Sequence, residues 1–265
     1  MRLSEHCWAV TGLACIPPWT VNAGFIVGRH TTLVVDTGAN ALAASTIHGY
    51  ASLARPGNRW RVIDTEKHFD HIGGNAWFRE RGADVFGHPG VVRTEEEFRA
   101  EIAQYNRAIP DAARRALGEA AAFYAGTSLA LPNQPIAADT VFDLGDLEVQ
   151  VLLTPGHTPT NLTVHVPAEG VVYCGDCLVN GYLPNLDCGA TPGWQQWLDS
   201  LDRIERLAPA VTVPGHGPVA RGSEVQELIQ LVRGVLGEAL RAGVSPTRPC
   251  GLPPNGGLSP GQEGA

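Results

Sequence analysis

The sequence predicts an α+β fold in which two sheets pack face to face with helices on the outside. Apolar extended runs alternate with helix-forming stretches through the first third, and the same strand-then-helix order returns in the second half. Two helical patterns then close the chain. In order, residues 22–27 (NAGFIV) and 31–35 (TTLVV) read as strands, the alanine-rich stretch 39–54 as a helix, and 59–63 as a third strand. A short helix is expected over 72–81, opening after Gly73 and Gly74, and a strand over 83–86. Residues 94–126, with EEEFRAEIAQYNRA and DAARRALGEAAAFYA broken at Pro110, read as a helical insert. Strands return at 140–144, 148–153, 162–166 and 171–173, with turns at Leu144-Gly145-Asp146 and Ala168-Glu169-Gly170. Helices over 193–207 and 223–242 flank a short strand at 210–213. The expected organisation is one domain over 1–244, with residues 245–265, rich in Pro and Gly, as a disordered tail.

Composition narrows the partners. The chain has 265 residues, 44% of them hydrophobic, enough for a sizeable core. Its 19 basic against 27 acidic residues leave a formal charge of -8, the wrong sign for a protein that neutralises phosphates, so no nucleic-acid partner is expected. No apolar run reaches the ~18–20 residues of a membrane span, and Glu5 and His6 interrupt any leader-like stretch. A cytoplasmic protein acting on a small molecule is the expectation, and nothing sets its oligomeric state. Cys7, Cys15, Cys174, Cys177, Cys188 and Cys250 are scattered, which favours reduced thiols over a disulfide framework.

The chemistry concentrates in Thr65-Glu66-Lys67-His68-Phe69-Asp70-His71, between a predicted strand and a predicted helix. In an extended chain alternate side chains share a face, so Glu66, His68 and Asp70 project together, while the turn into the helix brings His71 beside them. Lys67 points away. His157 in TPGHTPTN, Asp176 in YCGDCLVNG and His216 in VPGHGPVA follow apolar runs beside Gly or Pro, each expected on a loop at a strand end. Imidazole and carboxylate together suit zinc, iron or manganese.

The order ExHxDH, GHTP, GDC, PGHG, with Val34-Val35-Asp36-Thr37-Gly38 before the first helix, resembles the metallo-beta-lactamase superfamily, whose usual signature begins HxHxDH. That resemblance implies a four-layer αββα sandwich with the site along one edge of the sheets. It implies two divalent metal ions, zinc foremost and iron or manganese compatible. Glu66, His68 and His157 would surround the first, Asp70, His71 and His216 the second, and Asp176 would bridge them. Glu66 stands where histidine is usual, as a ligand or as a hydrogen-bond partner of one. The aspartate at 176 is similar to glyoxalase II, lactonases and related esterases, whereas beta-lactamases commonly have cysteine or serine there, so beta-lactam hydrolysis ranks low. A glyoxalase II role is not favoured either, because the segment after Asp176 lacks basic residues suited to glutathione.

The expected function is metal-dependent hydrolysis, a metal-bound hydroxide attacking an ester, thioester or lactone carbonyl, with Asp70 orienting it as the catalytic residue. The alternatives are an iron-dependent oxidation resembling sulfur dioxygenases and a non-catalytic metal-binding member of the fold. Cys174 and Cys177 read as buried small hydrophobes, and His88 as a structural residue at a strand end. Phe98, Ile102 and Tyr105, at helical spacing, read as packing.

Overall fold

The computed structural model describes residues 1–16, 19–108, 124, 126–186 and 191–243. Most of the second half of the expected insert, the tail 245–265, and Cys188 and Cys250 lie outside the described residues.

The first sheet orders its strands as β1 (Cys7–Ile16), β2 (Trp19–Val27), β3 (Thr31–Val35), β4 (Arg59–Ile63), β5 (Asp84–Gly87) and β6 (Gln134–Pro135). The second runs β12 (Ala220–Arg221), β11 (Val211–His216), β10 (Val171–Val179), β9 (Leu162–Val166), β8 (Glu148–Leu153) and β7 (Thr140–Asp143). Strand β3 is buried along its whole length, as are β9 and β10. That explains continuous apolar runs where a half-exposed strand would alternate.

Three apolar clusters separate four layers. Ile26, Leu33 and Ile63 of the first sheet meet Val149, Val164 and Val171 of the second in the central one. Helix α1 (Ala41–Ala54) packs Ala44 and Ile47 on the outer face of the first sheet, among Phe25, Val62 and Phe78. Two more helices, α5 (Thr191–Arg206) and α6 (Ser223–Ala242), cover the second sheet through Trp197, Leu201, Ile229 and Val232. This is the αββα arrangement.

Local chemistry sets the helix starts. Asn40 caps α1 by accepting from the Ala43 amide at 2.8 Å. Helix α4 (Glu95–Ala108) opens on a reciprocal box: Glu97 N donates to Thr94 Oγ1 at 3.1 Å and Thr94 N to Glu97 Oε2 at 2.7 Å. Phe98 and Ile102 of that helix pack on the first cluster, as expected, while the Tyr105 side chain is outside the described residues. Both predicted turns form, with Gly145 and Gly170 at positive φ.

Several elements differ from the sequence reading. Strand β1 was not expected; Gly12 at φ +75° makes a bulge between the Val10–Ala23 and Leu13–Val21 pairs that breaks its period of two. The helix expected over 72–81 is two single turns, α2 (Phe69–Ile72) and α3 (Asn75–Arg79). The ladder breaks between them because His71 O accepts from Thr37 N at 2.8 Å and Gly74 N donates to Gly38 O at 3.2 Å, an approach so close that a Cβ on Gly73 or Gly74 would lie 2.2 Å from Ala39 O or 2.4 Å from Thr37 O. Strands β10 and β11 run beyond their expected ends, through Asp176 and His216. Among the described residues no helix is long and apolar enough to cross a membrane.

Candidate metal centre

The seven residues singled out in the sequence converge toward the C-terminal ends of β4, β8, β10 and β11. Ligand-type atoms of Glu66, His68, His157 and Asp176 lie within 4.8 Å of one another, as do those of Asp70, His71 and His216. The Asp176 carboxylate joins the groups: Oδ2 is 3.6 Å from His157 Nε2 and 3.3 Å from His216 Nε2, and Oδ1 is 3.3 Å from His71 Nε2. His216 Nε2 is also 3.4 Å from Asp70 Oδ2. Tetrahedral ligands with bonds of ~2.0–2.1 Å stand ~3.3 Å apart, so these separations suit one cation shared among neighbours.

Two expectations about placement are corrected. Strict alternation does not carry Asp70 to the site, because the chain bends after Asp64 and Asp70 sits in the first turn of α2, one residue before His71. Asp176 is inside β10 and His216 ends β11, so only His157 is on a loop between strands. The β10–β11 pairing is irregular between Gly175 and Val179, and such bulges re-aim side chains at a sheet end.

Three of the four imidazoles are oriented from behind. His71 Nδ1 is 2.9 Å from Asp36 Oδ2, His157 Nδ1 is 2.8 Å from Asn185 O, and His216 Nδ1 is 2.7 Å from Thr20 O. These contacts leave the three Nε2 atoms facing the centre, the support expected around metal-binding histidines. His68 presents Nδ1 instead, 3.0 Å from Glu66 Oε2 and 3.1 Å from His157 Nε2. Asp36 adopts φ +61°, rare for a residue with a side chain, and its carboxylate accepts from Thr65 N and Oγ1, each at 2.7 Å. One strained residue thus pins both the loop and a ring.

Burial and charge point the same way. Both Glu66 oxygens, His71 Nε2 and Asp176 Oδ1 are buried without a hydrogen-bond partner. Buried polar atoms are rarely left so, and divalent cations held by the two groups would satisfy them. Burial alone would raise the Glu66 carboxyl, but His68 and His157 beside it draw it down to about 2. Burial likewise opposes charge on His216, yet Asp176 and Asp70 push it up to about 9. His71 rises well above its ordinary value against the same desolvation, through Asp36 and Asp176. Without a cation these imidazoles hold protons to balance three carboxylates, and a metal would replace them.

A family model described as the metallo-beta-lactamase superfamily matches residues 16–216. The chain belongs to that superfamily. Among curated relatives it is 28% identical over 158 residues to a hydroxyacylglutathione hydrolase of Thermosynechococcus vestitus, a match covering 59% of this chain and 49% of the relative, so the chain spans about half that protein's length. It is 18% identical to a metallo-beta-lactamase type 2 of Bacteroides fragilis, over 87% of this chain and 84% of the other. Among solved structures, a metallo-beta-lactamase family protein from Thermus thermophilus superposes with a TM-score of 0.64 at 22% identity, covering 89% and 81% of the two chains, which establishes the fold. The superfamily consists mostly of metal-dependent hydrolases, and the His, Asp and Glu clusters fit divalent metal binding.

Some contributors escaped the sequence reading. Asp36 was noted only as part of a segment, because its φ and its reach to His71 are tertiary facts. Cys15, whose thiol lies 3.6 Å from Asp70 Oδ2, belongs to the unexpected β1. Cys174 and Cys177 are fully buried, and burial drives the Cys177 thiol up to about 12, an inert hydrophobe as expected.

Proposed function

We propose that the chain is a dinuclear metal-dependent hydrolase acting on an ester, thioester or lactone. The observation that carries this reading is the Asp176 carboxylate within 3.6 Å of imidazoles from both clusters, a position suited to bridging two cations. Glu66, His68 and His157 hold the first metal, and Asp70, His71 and His216 the second. Glu66 is read as a direct ligand because its two oxygens face three imidazoles and have no hydrogen bond. When bound, the cations lower the pKa of water and polarise a carbonyl. Asp70, buried at the site with its Oδ2 3.4 Å from His216 Nε2, orients the attacking water. Asp176 sets the spacing of the two ions. The likeness to a hydroxyacylglutathione hydrolase favours an acyl substrate. Among the described residues, buried free thiols at Cys7, Cys15, Cys174 and Cys177 favour a reducing, cytoplasmic setting.

Purified protein should hold two zinc ions and hydrolyse at least one member of a panel of thioesters, lactones and aryl esters, with a chromogenic beta-lactam turned over least. Glu66 is also the observation behind a second reading, since a hard oxygen donor in place of histidine shifts preference toward iron. One iron with oxygen consumption, and no hydrolysis, would replace the hydrolase by a dioxygenase. Protein that takes up no metal under zinc, iron or manganese would point to a binding role.

A further inference from the structure

Strand β2 contains one side chain out of keeping with its neighbours. Val21, Ala23 and Phe25 are buried apolar residues of a kind common in such a strand, but Asn22, equally buried at 3% exposure, is a primary amide. Its Nδ2 donates to Pro214 O at 2.9 Å and to Gly217 O at 2.7 Å. Those carbonyls bracket His216, the last residue of β11 in the other sheet.

We propose that Asn22 is the positioning residue for His216, holding this proposed ligand in register across the gap between the two sheets. The proposal rests on the reading of His216 as a metal ligand. Thr20, two residues earlier on the same strand, supplies the carbonyl 2.7 Å from His216 Nδ1, so β2 grips both the loop backbone and the ring. With Nδ1–H directed at Thr20 O, the other ring nitrogen is left facing Asp70 and Asp176. His71 and His157 take their support from Asp36 and Asn185 of their own halves of the chain, whereas His216 depends on a strand nearly two hundred residues away in sequence, a separation of 196.

The loop has no slack that would make the grip redundant. Gly217 sits at φ +82°, and a Cβ there would lie 1.7 Å from Asn180 O. On the outer side Asn180 N donates to His216 O at 2.9 Å and Asn180 Nδ2 to Pro218 O at 2.8 Å. The turn is thus held from two directions, and the short primary amide at position 22 offers two donors in one plane to two carbonyls. Aspartate is its isostere without donors.

The test compares wild type with Asn22→Asp, Asn22→Ala and Asn22→Ser by zinc titration against a chromophoric chelator. It adds the melting temperature of the metal-free proteins and the downfield Nδ1–H resonance of His216, identified by its loss in His216→Gln. Loss of the orienting partner of a metal histidine typically weakens the metal by ~10–100-fold. The expected result is that fall for one zinc alone in Asn22→Asp and Asn22→Ala, the other zinc binding as in wild type, with the His216 resonance lost. Asn22→Ser, keeping one donor, should fall between. Both zincs retained at wild-type affinity with the resonance intact would overturn the proposal. So would equal weakening of both zincs together with a matching loss of metal-free stability, or failure of all three variants to fold, since each would assign Asn22 to the fold and not to His216. Wild-type protein that binds no zinc at all would remove the ligand reading itself, and the proposal with it.

Discussion

The centre is assembled from two regions built in different ways. Glu66, His68, Asp70 and His71 arrive together on one bend and one helical turn, and the side chain of Asp36 anchors both the bend, at Thr65, and the His71 ring. His157, Asp176 and His216 arrive separately, from a loop and two strands of the second sheet, and their rings are held by backbone carbonyls of Asn185 and Thr20. His68 and His157 touch at 3.1 Å across 89 residues of sequence. Closing so long a loop costs little more entropy than closing a short one, so distance along the chain is no obstacle. The difference lies in vulnerability: the contiguous region depends on local side-chain contacts, and the dispersed trio on how well two sheets stay in register.

The largest effect should come from the residue that joins the two regions. Asp176→Ala should lower turnover on the best substrate by orders of magnitude while the protein stays folded, because it removes the shared carboxylate and no apolar core. Turnover within about threefold of wild type, a barrier change under ~1 kcal/mol, would show that nothing bridges the two groups.

A ligand of the contiguous region should cost less. Glu66→Ala should weaken one metal and leave the other, read as metal content after graded chelator dialysis. Glu66→His should keep both, hold zinc more firmly, and move the acidic limb of the pH-rate profile to lower pH, because a less anionic cluster acidifies bound water further. Wild-type retention of both metals in Glu66→Ala would make Glu66 a hydrogen-bond partner of a ligand instead.

Removing metal should expose the charge balance between the regions as a pH dependence. In the metal-free protein His216 is held at about 9 against an ordinary 6.5, so its contribution to stability is full below pH 6.5 and is lost as pH rises through about 9. Glu66, at about 2 against 4.5, contributes above pH 4.5 and loses that contribution as pH falls through about 2. Metal-free protein should therefore melt highest between about 4.5 and 6.5, and added zinc should raise its melting temperature most on the alkaline side of that window. A metal-free melting temperature that climbed steadily to pH 9 would contradict the coupling of His216 to Asp176 and Asp70. The smallest effect is expected from ending the chain after Val244: loss of the Pro- and Gly-rich tail should leave melting temperature and turnover unchanged. A drop of several degrees would mean that the tail docks on the domain or a second subunit.

The seven candidate residues were legible because ligand types cluster at Glu66, His68, Asp70 and His71, and recur beside Gly and Pro at His157, Asp176 and His216. The layered α+β architecture was legible too, from apolar runs such as TTLVV that suit strands buried on both faces. Those signals are local, carried by residue type and spacing along the chain. Strand β1 was hidden by its Gly12 bulge, and the split of the helix at Gly73–Gly74 by a close approach to residues 37–39 that spacing cannot convey. Asn22 could have been noticed as an amide inside an apolar strand, but not what it holds. Its partners, like the left-handed Asp36 and the Thr20 carbonyl behind His216, exist only once the two sheets pack. Sequence by itself determined which side chains have the chemistry to gather cations. Only tertiary structure decided which nitrogen of each ring faces the centre, because the backbone groups that orient the rings come from elsewhere in the fold and leave no mark of their own in the order of amino acids.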